Sequence, residues 1–372
     1  KTVFLFFILT NTLVLSAQEI VLEFDTDYEA GPNLITDSFS LVDEATDDFT
    51  VFLTKNSNLS AFYFDSSYNL KGWLASREMP NKYKIPLGGT IQSEKYSLFY
   101  TNSSKNKFAV VSFDFDANWS FTSEIDLKLT DEIFLSQFNY ENKFHILTTT
   151  YRGSLLHIYT FDNSGKYVKT TIDLEEFDLY GPSRFPTRLK STLGLDISNK
   201  NLVDMLTVQE NLPYSLDSMV SLIKLYIIED TMYVVSDINR DFSQIISHHL
   251  KEGKTQVQSI EQGQIKLAST NSFLTKGHIF QIAASTKEMV FQVTDLETKE
   301  VVKHYQFSKN DSLYLANGPI RQRGGRYKAY RELEKTAQFL RKLGHGNPAI
   351  HVKPNNNQYE IHIGSVDDID DG

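Results

Sequence analysis

Phe134-Leu-Ser-Gln-Phe-Asn-Tyr140, Phe144-His-Ile-Leu-Thr-Thr149, Leu155-Leu-His-Ile-Tyr-Thr-Phe161 and Tyr167-Val-Lys-Thr-Thr-Ile-Asp-Leu174 follow one another with short polar connections between them. The runs are rich in aromatic and β-branched residues, which fit a pleated surface. The turns Glu141-Asn-Lys143 and Asp162-Asn-Ser-Gly-Lys166 supply the side-chain hydrogen bonds and positive φ that reverse a chain. The second run is nearly all apolar, as in a strand covered on both faces. The fourth alternates and carries charge, as at an outer edge. This stretch reads as one four-stranded antiparallel sheet.

The second run recurs. Phe49-Thr-Val-Phe-Leu-Thr54, Tyr96-Ser-Leu-Phe-Tyr-Thr101, Met232-Tyr-Val-Val-Ser-Asp237 and Ile279-Phe-Gln-Ile-Ala-Ala284 match Phe144 to Thr149, with start-to-start steps of 47, 48, 88 and 47. A period of this length built from strands predicts an all-β propeller. We expect six to eight four-stranded antiparallel blades in a single domain over 18–372, an open β-solenoid being the alternative. The 88-residue step is close to two periods, so 178–222, punctuated by Gly181-Pro182, Pro186 and Pro213, is expected to be a degenerate blade. Between Ile279 and the strand at Tyr359 the chain runs about one period plus 33 residues. The excess falls at 319–348, read as a helical insertion. Tyr330, Leu333, Ala337, Leu340 and Leu343 make an apolar stripe, Gly344 stands where a left-handed C-terminal residue belongs, and Pro348 follows. The chain stops soon after a strand expected to be mid-blade, so further residues are expected after Gly372.

Residues 1–17 read as a secretory signal. Lys1 is basic, Val3 to Leu15 is mostly apolar, and Leu15-Ser16-Ala17 precedes Gln18. The apolar run is too short for a comfortable membrane span, and no other transmembrane segment is expected. With no cysteine, an exported chain is held by its core alone. A net charge of −10 argues against nucleic acid as a partner.

The signal segment ending Ser16-Ala17-Gln18, hairpins such as Phe64-Asp65 with Asn69, and the absence of cysteine together resemble the exported β-propeller proteins of Bacteroidota. The resemblance implies a periplasmic or extracellular location in a Gram-negative bacterium and a binding or scaffold role. It also makes Asp217-Ser-Met219, Asp230-Thr-Met232 and Asp311-Ser-Leu313 candidate O-glycosylation sites.

Asp65, Asp114, Asp162 and Asp295 each end a third strand, where a carboxylate accepts turn N–H groups, so their recurrence reads as structural. Glycoside cleavage needs two carboxylates at one site, and no pair among 47 acidic residues can be singled out. His351 and His362 flank Asn355-Asn-Asn357, where a four-residue loop would put them on one face and a three-residue loop would not. No nucleophile, phosphate-loop or metal motif is present, so neither catalytic residues, cofactor nor metal is expected. The sharpest surface signal is charge. Between Arg321 and Lys342 eight basic residues face only Glu332 and Glu334. We therefore expect Arg321, Arg323, Arg326, Lys328, Arg331 and Lys335 to form a basic patch on the inserted helix, for an acidic protein, an anionic glycan or an anionic surface. Tyr330, Leu333, Ala337 and Leu340 are expected to dock that helix on a propeller that folds without it. The function expected is an exported, non-catalytic binding or scaffold protein, with a carbohydrate-active glycosidase or lyase as the alternative.

Overall fold

A computed structural model describes residues 22–24, 26, 37–55, 58–76, 82–92, 94–195, 205–209, 212, 214–266, 268–313, 318–324, 327–355 and 358–367. Four-stranded antiparallel meanders dominate it. The first comprises β1 (Asp37–Val42), β2 (Phe49–Lys55), β3 (Asn58–Phe64) and β4 (Leu70–Ala75). The second comprises β5 (Ile85–Gln92), β6 (Lys95–Thr101), β7 (Phe108–Asp114) and β8 (Trp119–Ile125). The third comprises β9 (Glu132–Tyr140), β10 (Lys143–Thr150), β11 (Leu155–Phe161) and β12 (Tyr167–Asp173). Next come β13 (Leu179–Tyr180), β14 (Pro186–Thr187), the one-turn α1 (Leu189–Thr192) and β15 (Met205–Val208). The fourth sheet adds β16 (Ile223–Ile228), β17 (Thr231–Ser236), β18 (Phe242–His249) and β19 (Thr255–Glu261). The fifth comprises β20 (Ser269–Thr275), β21 (His278–Ala284), β22 (Glu288–Asp295) and β23 (Val301–Ser308). The described chain closes with β24 (Ile320–Gly324), β25 (Tyr327–Leu333), α2 (Thr336–His345), β26 (Asn347–Asn355) and β27 (Gln358–Val366).

Successive sheets pack face to face, which makes the fold an all-β propeller. Phe52, Leu59 and Ala61 of the first sheet meet Tyr96, Leu98 and Phe113 of the second. Phe99, Phe108 and Val110 of the second meet Phe144, Ile146 and Phe161 of the third, with the Phe99 and Phe144 rings stacked at 4.5 Å. Leu135, Leu147 and Ile158 of the third share a core with Leu225, Met232 and Val234 of the fourth. Ile245 and Val235 then meet Phe273, Ile279 and Phe280 of the fifth, and Ala349 and Ile350 of β26 complete that core. Covered on both faces, β10 is buried from Phe144 to Thr149, while the outer strand β12 is exposed at all but Ile172.

The turn aspartates do the structural work their recurrence suggested. Asp65 Oδ1 accepts from the backbone N–H of Ser67 and Asn69, and Asp162 Oδ1 from Ser164 and Lys166. Asp114 takes Ala117 N–H, and Asp295 those of Glu297 and Thr298. Those backbone hydrogen bonds, from Asn69, Ala117 and Thr298 first of all, hold Asp65, Asp114 and Asp295 below the usual carboxylate range.

Three expectations are corrected. Among the described residues, 178–222 do not form a further, degenerate blade. They form the two-residue ladder β13–β14, α1, and β15, which pairs in parallel with β16 and widens the fourth sheet to five strands. Leu179, Leu189 and Leu193 bury into the core between the third and fourth sheets, so the segment thickens an interface instead of adding a blade. The C-terminal helix is also shorter than its apolar stripe. Tyr330 and Leu333 belong to the hairpin β24–β25, which pairs Ile320 with Leu333 and Arg323 with Tyr330. The docked residues are Leu333, Phe339, Leu340 and Leu343, whereas Tyr330 is half exposed and Ala337 faces solvent. Gly344 lies inside α2 instead of ending it. A Cβ there would come within 2.3 Å of the Thr286 nitrogen, so its missing side chain lets α2 rest on the backbone at 285–286.

His145 shows what burial does to a titrating group in these sheets. It is buried on β10, stacked on Phe138 at 4.7 Å, with Nδ1 3.0 Å from Thr160 Oγ1. Burial lowers its pKa from 6.5 to about 4. A depressed histidine contributes stability that is fully present above 6.5 and is lost as pH falls toward 4. At roughly 1.4 kcal/mol per unit the loss is about 3 kcal/mol. Burial depresses His157, His248 and His351 in the same direction. Urea unfolding measured between neutral and mildly acid pH should show this decline, and His145→Gln should flatten it. An unchanged slope in the variant contradicts the assignment.

Candidate functional site

The second and third sheets are clamped at one rim by the β11–β12 turn. Gly165 has φ 81°, and a Cβ there would lie 2.9 Å from Ile125 Cγ1, so glycine permits the turn to reach the second sheet. Asn163 then threads into that sheet. Its Oδ1 accepts from Thr90 Oγ1 at 2.6 Å, its backbone oxygen accepts from Ser112 Oγ at 2.6 Å, and its Nδ2 donates to Gln92 O at 3.2 Å.

Beside this clamp lies a cleft of about 300 Å³ lined by Lys95, Ser112, Phe113, Asp114, Trp119, Phe121, Asn163 and Ser164. Its wall is aromatic. Trp119 and Phe121, two apart on β8, lie on one face of that strand and stack at 5.1 Å and 28°, and the indole remains 44% exposed. Its rim is acidic. Asp114 is held by Ala117 N–H and paired with Lys95 Nζ at 3.0 Å. Next to it Glu94 and Asp116, both exposed, are hydrogen-bonded to each other. That contact, with the charge of Asp116 and then of Asp48 and Asp114, pushes the Glu94 carboxyl above its ordinary range. The rim therefore carries crowded carboxylates with one lysine among them.

A second polar cluster, at the opposite rim of the third sheet, is already self-satisfied. The buried Glu132 carboxylate accepts from Thr148 Oγ1, from Tyr159 Oη at 2.9 Å and from Lys169 Nζ at 2.6 Å. It ties together all four strands and has little acceptor capacity left for a ligand.

The basic patch read from sequence sits on the hairpin β24–β25 and the start of α2, not on a continuous helix face. Arg321 and Arg323 are exposed, with the Arg321 guanidinium 4.8 Å from the Tyr330 ring centre. Arg331 Nε donates to Gln322 Oε1 at 2.9 Å, and Lys335 is exposed at the N-terminal end of α2. Arg326 and the Lys328 side chain lie outside the described residues. Asn355 pairs with Gln358 across β26 and β27, and this register sets His351 directly opposite His362. Their rings are 6.1 Å apart, and the His362 Nε2 hydrogen-bonds Glu360. Among the described residues no group of three or more His, Cys, Asp or Glu could hold a metal ion.

Trp119, Phe121 and Asn163 were not singled out by sequence. Asn163 reads there as one more turn residue, and Trp119 as one aromatic among many. Each becomes distinctive only when two sheets meet. A cheaper signal existed, because the chain has only two tryptophans and one of them stands two residues before Phe121 on an outer strand.

No family model matches the chain, and no curated protein is a significant match. Among solved structures, dihydro-heme d1 dehydrogenase NirN in complex with DHE aligns with 71% of this chain and 46% of its own, at 11% identity and a TM-score of 0.31. The cobalt-substituted Synechocystis apocarotenoid oxygenase aligns with 70% of this chain and 58% of its own, at 9% identity and a TM-score of 0.34. The chain thus spans about half the length of the solved structures it matches. Similarity at this level leaves the cleft to be read from its own residues.

Proposed function

We propose that the protein is an exported, non-catalytic binding protein whose principal ligand site is the cleft between the second and third sheets. The observation that carries this reading is the cleft's composition, an aromatic wall at Trp119 and Phe121 beneath a crowded acidic rim. A flat apolar group gains by stacking on the indole, and a cation gains from both the ring face and the rim carboxylates. The ligand class that combines the two is an aromatic or aliphatic group bearing a positive charge. The carboxylates support binding over glycoside cleavage. Glu94 and Asp116 touch each other, closer than the roughly 5–10 Å at which two carboxyl groups flank a glycosidic bond, and Asp114 is committed to its turn and to Lys95. Export rests on residues 1–17, which lie outside the described residues, and among the described residues no helix is long and apolar enough to cross a membrane. The exposed Arg321, Arg323 and Lys335 support a second, weaker contact surface for an acidic partner.

Calorimetric titration with phenethylammonium, an aromatic cation, tests the reading. Saturable binding is expected, weakened about tenfold by Trp119→Ala, which corresponds to about 1.4 kcal/mol. A similar loss is expected from Glu94→Gln combined with Asp116→Asn, together with a decline as salt rises. Binding that is indifferent to all three changes sinks the proposal.

A further inference from the structure

The tip of the β13–β14 ladder presents the most exposed large hydrophobic side chain among the described residues, Phe185 at 77%. Single exposed hydrophobics are common and by themselves mean little. The backbone that carries this one is braced from the fourth sheet. Arg184 makes a two-pronged ion pair with Asp241, Nε to Oδ2 at 2.6 Å and Nη2 to Oδ1 at 2.9 Å. Asn239 Nδ2 donates to the backbone oxygens of Gly181 and Ser183 at 2.8 and 2.9 Å. Tyr180 packs edge-on against Phe242, and its N–H reaches Gln244 Oε1 at 2.8 Å. Pro182 and Pro186 stiffen both sides of the tip. A loop whose backbone is set before contact loses less conformational freedom on binding than a mobile one, which suits an interface anchor.

The anchor and the cleft are complementary. Phe185 stands near the exposed Arg188 and beside Arg184, whose charge is shared with Asp241, so the tip presents an aromatic ring with a cation close by. The cleft offers an aromatic wall under an acidic rim. Its volume of about 300 Å³ is ample for a phenyl ring, since apolar cavities of roughly 150 Å³ admit benzene. The two features also lie at opposite rims of the fold. The cleft sits at the rim of the β5–β6, β7–β8 and β11–β12 turns, and Tyr140 of that rim hydrogen-bonds Asp230 in the β16–β17 turn. The Phe185 tip is braced from Asn239 and Asp241 in the β17–β18 turn, which is at the other end of those strands. A tip on one rim cannot enter a cleft on the other within one molecule. Between molecules it makes a head-to-tail contact, which leaves a free tip and a free cleft at the two ends of any open assembly.

We propose that the cleft's occupant is the Phe185 tip of a second copy of this chain. The inference rests on reading the cleft as a ligand site and adds the identity of the partner. A single aromatic anchor with a few rim charges makes a small interface, so the association is weak and concentration-dependent.

Sedimentation velocity over a range of concentrations tests it. The unmodified protein should associate beyond the dimer as concentration rises. Phe185→Ala and Trp119→Ala should each remain monomeric, with the association constant reduced at least about tenfold by the loss of one anchor. Mixing the two variants is decisive. Phe185→Ala keeps an intact cleft and Trp119→Ala an intact tip, so the mixture should form a one-to-one dimer and nothing larger. Phenethylammonium should dissolve the assemblies. An unmodified protein that stays monomeric, a Phe185→Ala variant that associates like the parent, or a mixture that remains monomeric overturns the proposal. If phenethylammonium still binds at Trp119 while the protein stays monomeric, the cleft reading survives and only the identity of its occupant fails.

Discussion

Asp237→Ala is expected to destabilise the protein by about 3–5 kcal/mol, the range for removing one member of a buried ion pair. Asp237 is 2% exposed and lies between the fourth and fifth sheets. Its carboxylate accepts from Ser243 Oγ, from Ser272 Oγ at 2.7 Å and from Gln262 Nε2 at 3.4 Å. Lys224 Nζ stands 4.0 Å away, fully buried, and donates to Ser221 O at 2.6 Å and Asn271 Oδ1 at 2.9 Å. Burial lowers the Lys224 pKa to about 8, against the opposing pull of Asp237. Without that carboxylate the ammonium loses its only close counter-charge among the described residues, and three donors lose an acceptor. Adding Lys224→Met should recover part of the loss, because an apolar chain of similar length removes the stranded charge. Denaturant midpoints for the three variants measure this. A loss under about 1 kcal/mol in Asp237→Ala shows that the network is dispensable.

The second large effect concerns the C-terminal helix. Leu340 and Leu343 are fully buried in the core that also holds Ile279, Phe280 and Ile350. Leu340→Ala is expected to cost about 2–5 kcal/mol, as for leucine truncation in a packed core. Removing residues 321–346 should unfold or strongly destabilise the fifth sheet, because Phe339, Leu340 and Leu343 share its core. The sequence reading expected this segment to be an appendage on a propeller that folds without it. The burial of α2 makes it a structural part, and a deletion variant with unchanged thermal stability would restore the appendage view.

The repeat was legible because every strand obeys the same local physics. Apolar inner strands, charged outer strands and aspartate-led turns each leave a pattern within one unit, and the sheets form where that pattern predicts. The errors arose where local patterns were ambiguous. Tyr330, Leu333, Leu340 and Leu343 fall at helical spacing, but the first two lie in β25. Gly324-Gly325 upstream is a hairpin signal, and Gly324 does adopt a φ of 82°. Residues 178–222 carry too few strand-like runs to declare that they would thicken an interface. The cleft was barely legible: the scarcity of tryptophan marks Trp119, but Asn163 belongs to a different sheet and reads as an ordinary turn residue. Only the clamp of Asn163 into Thr90 and Ser112 brings them together.

The most direct test of the cleft follows from there being two tryptophans, Trp119 in the cleft wall and Trp73 on the outer strand β4 of the first sheet. Their indole N–H groups give two resolvable signals in a proton–nitrogen correlation spectrum. On titration with phenethylammonium the Trp119 signal should move saturably while the Trp73 signal stays fixed. Two stationary signals, or two that move together, would contradict a ligand site between the second and third sheets.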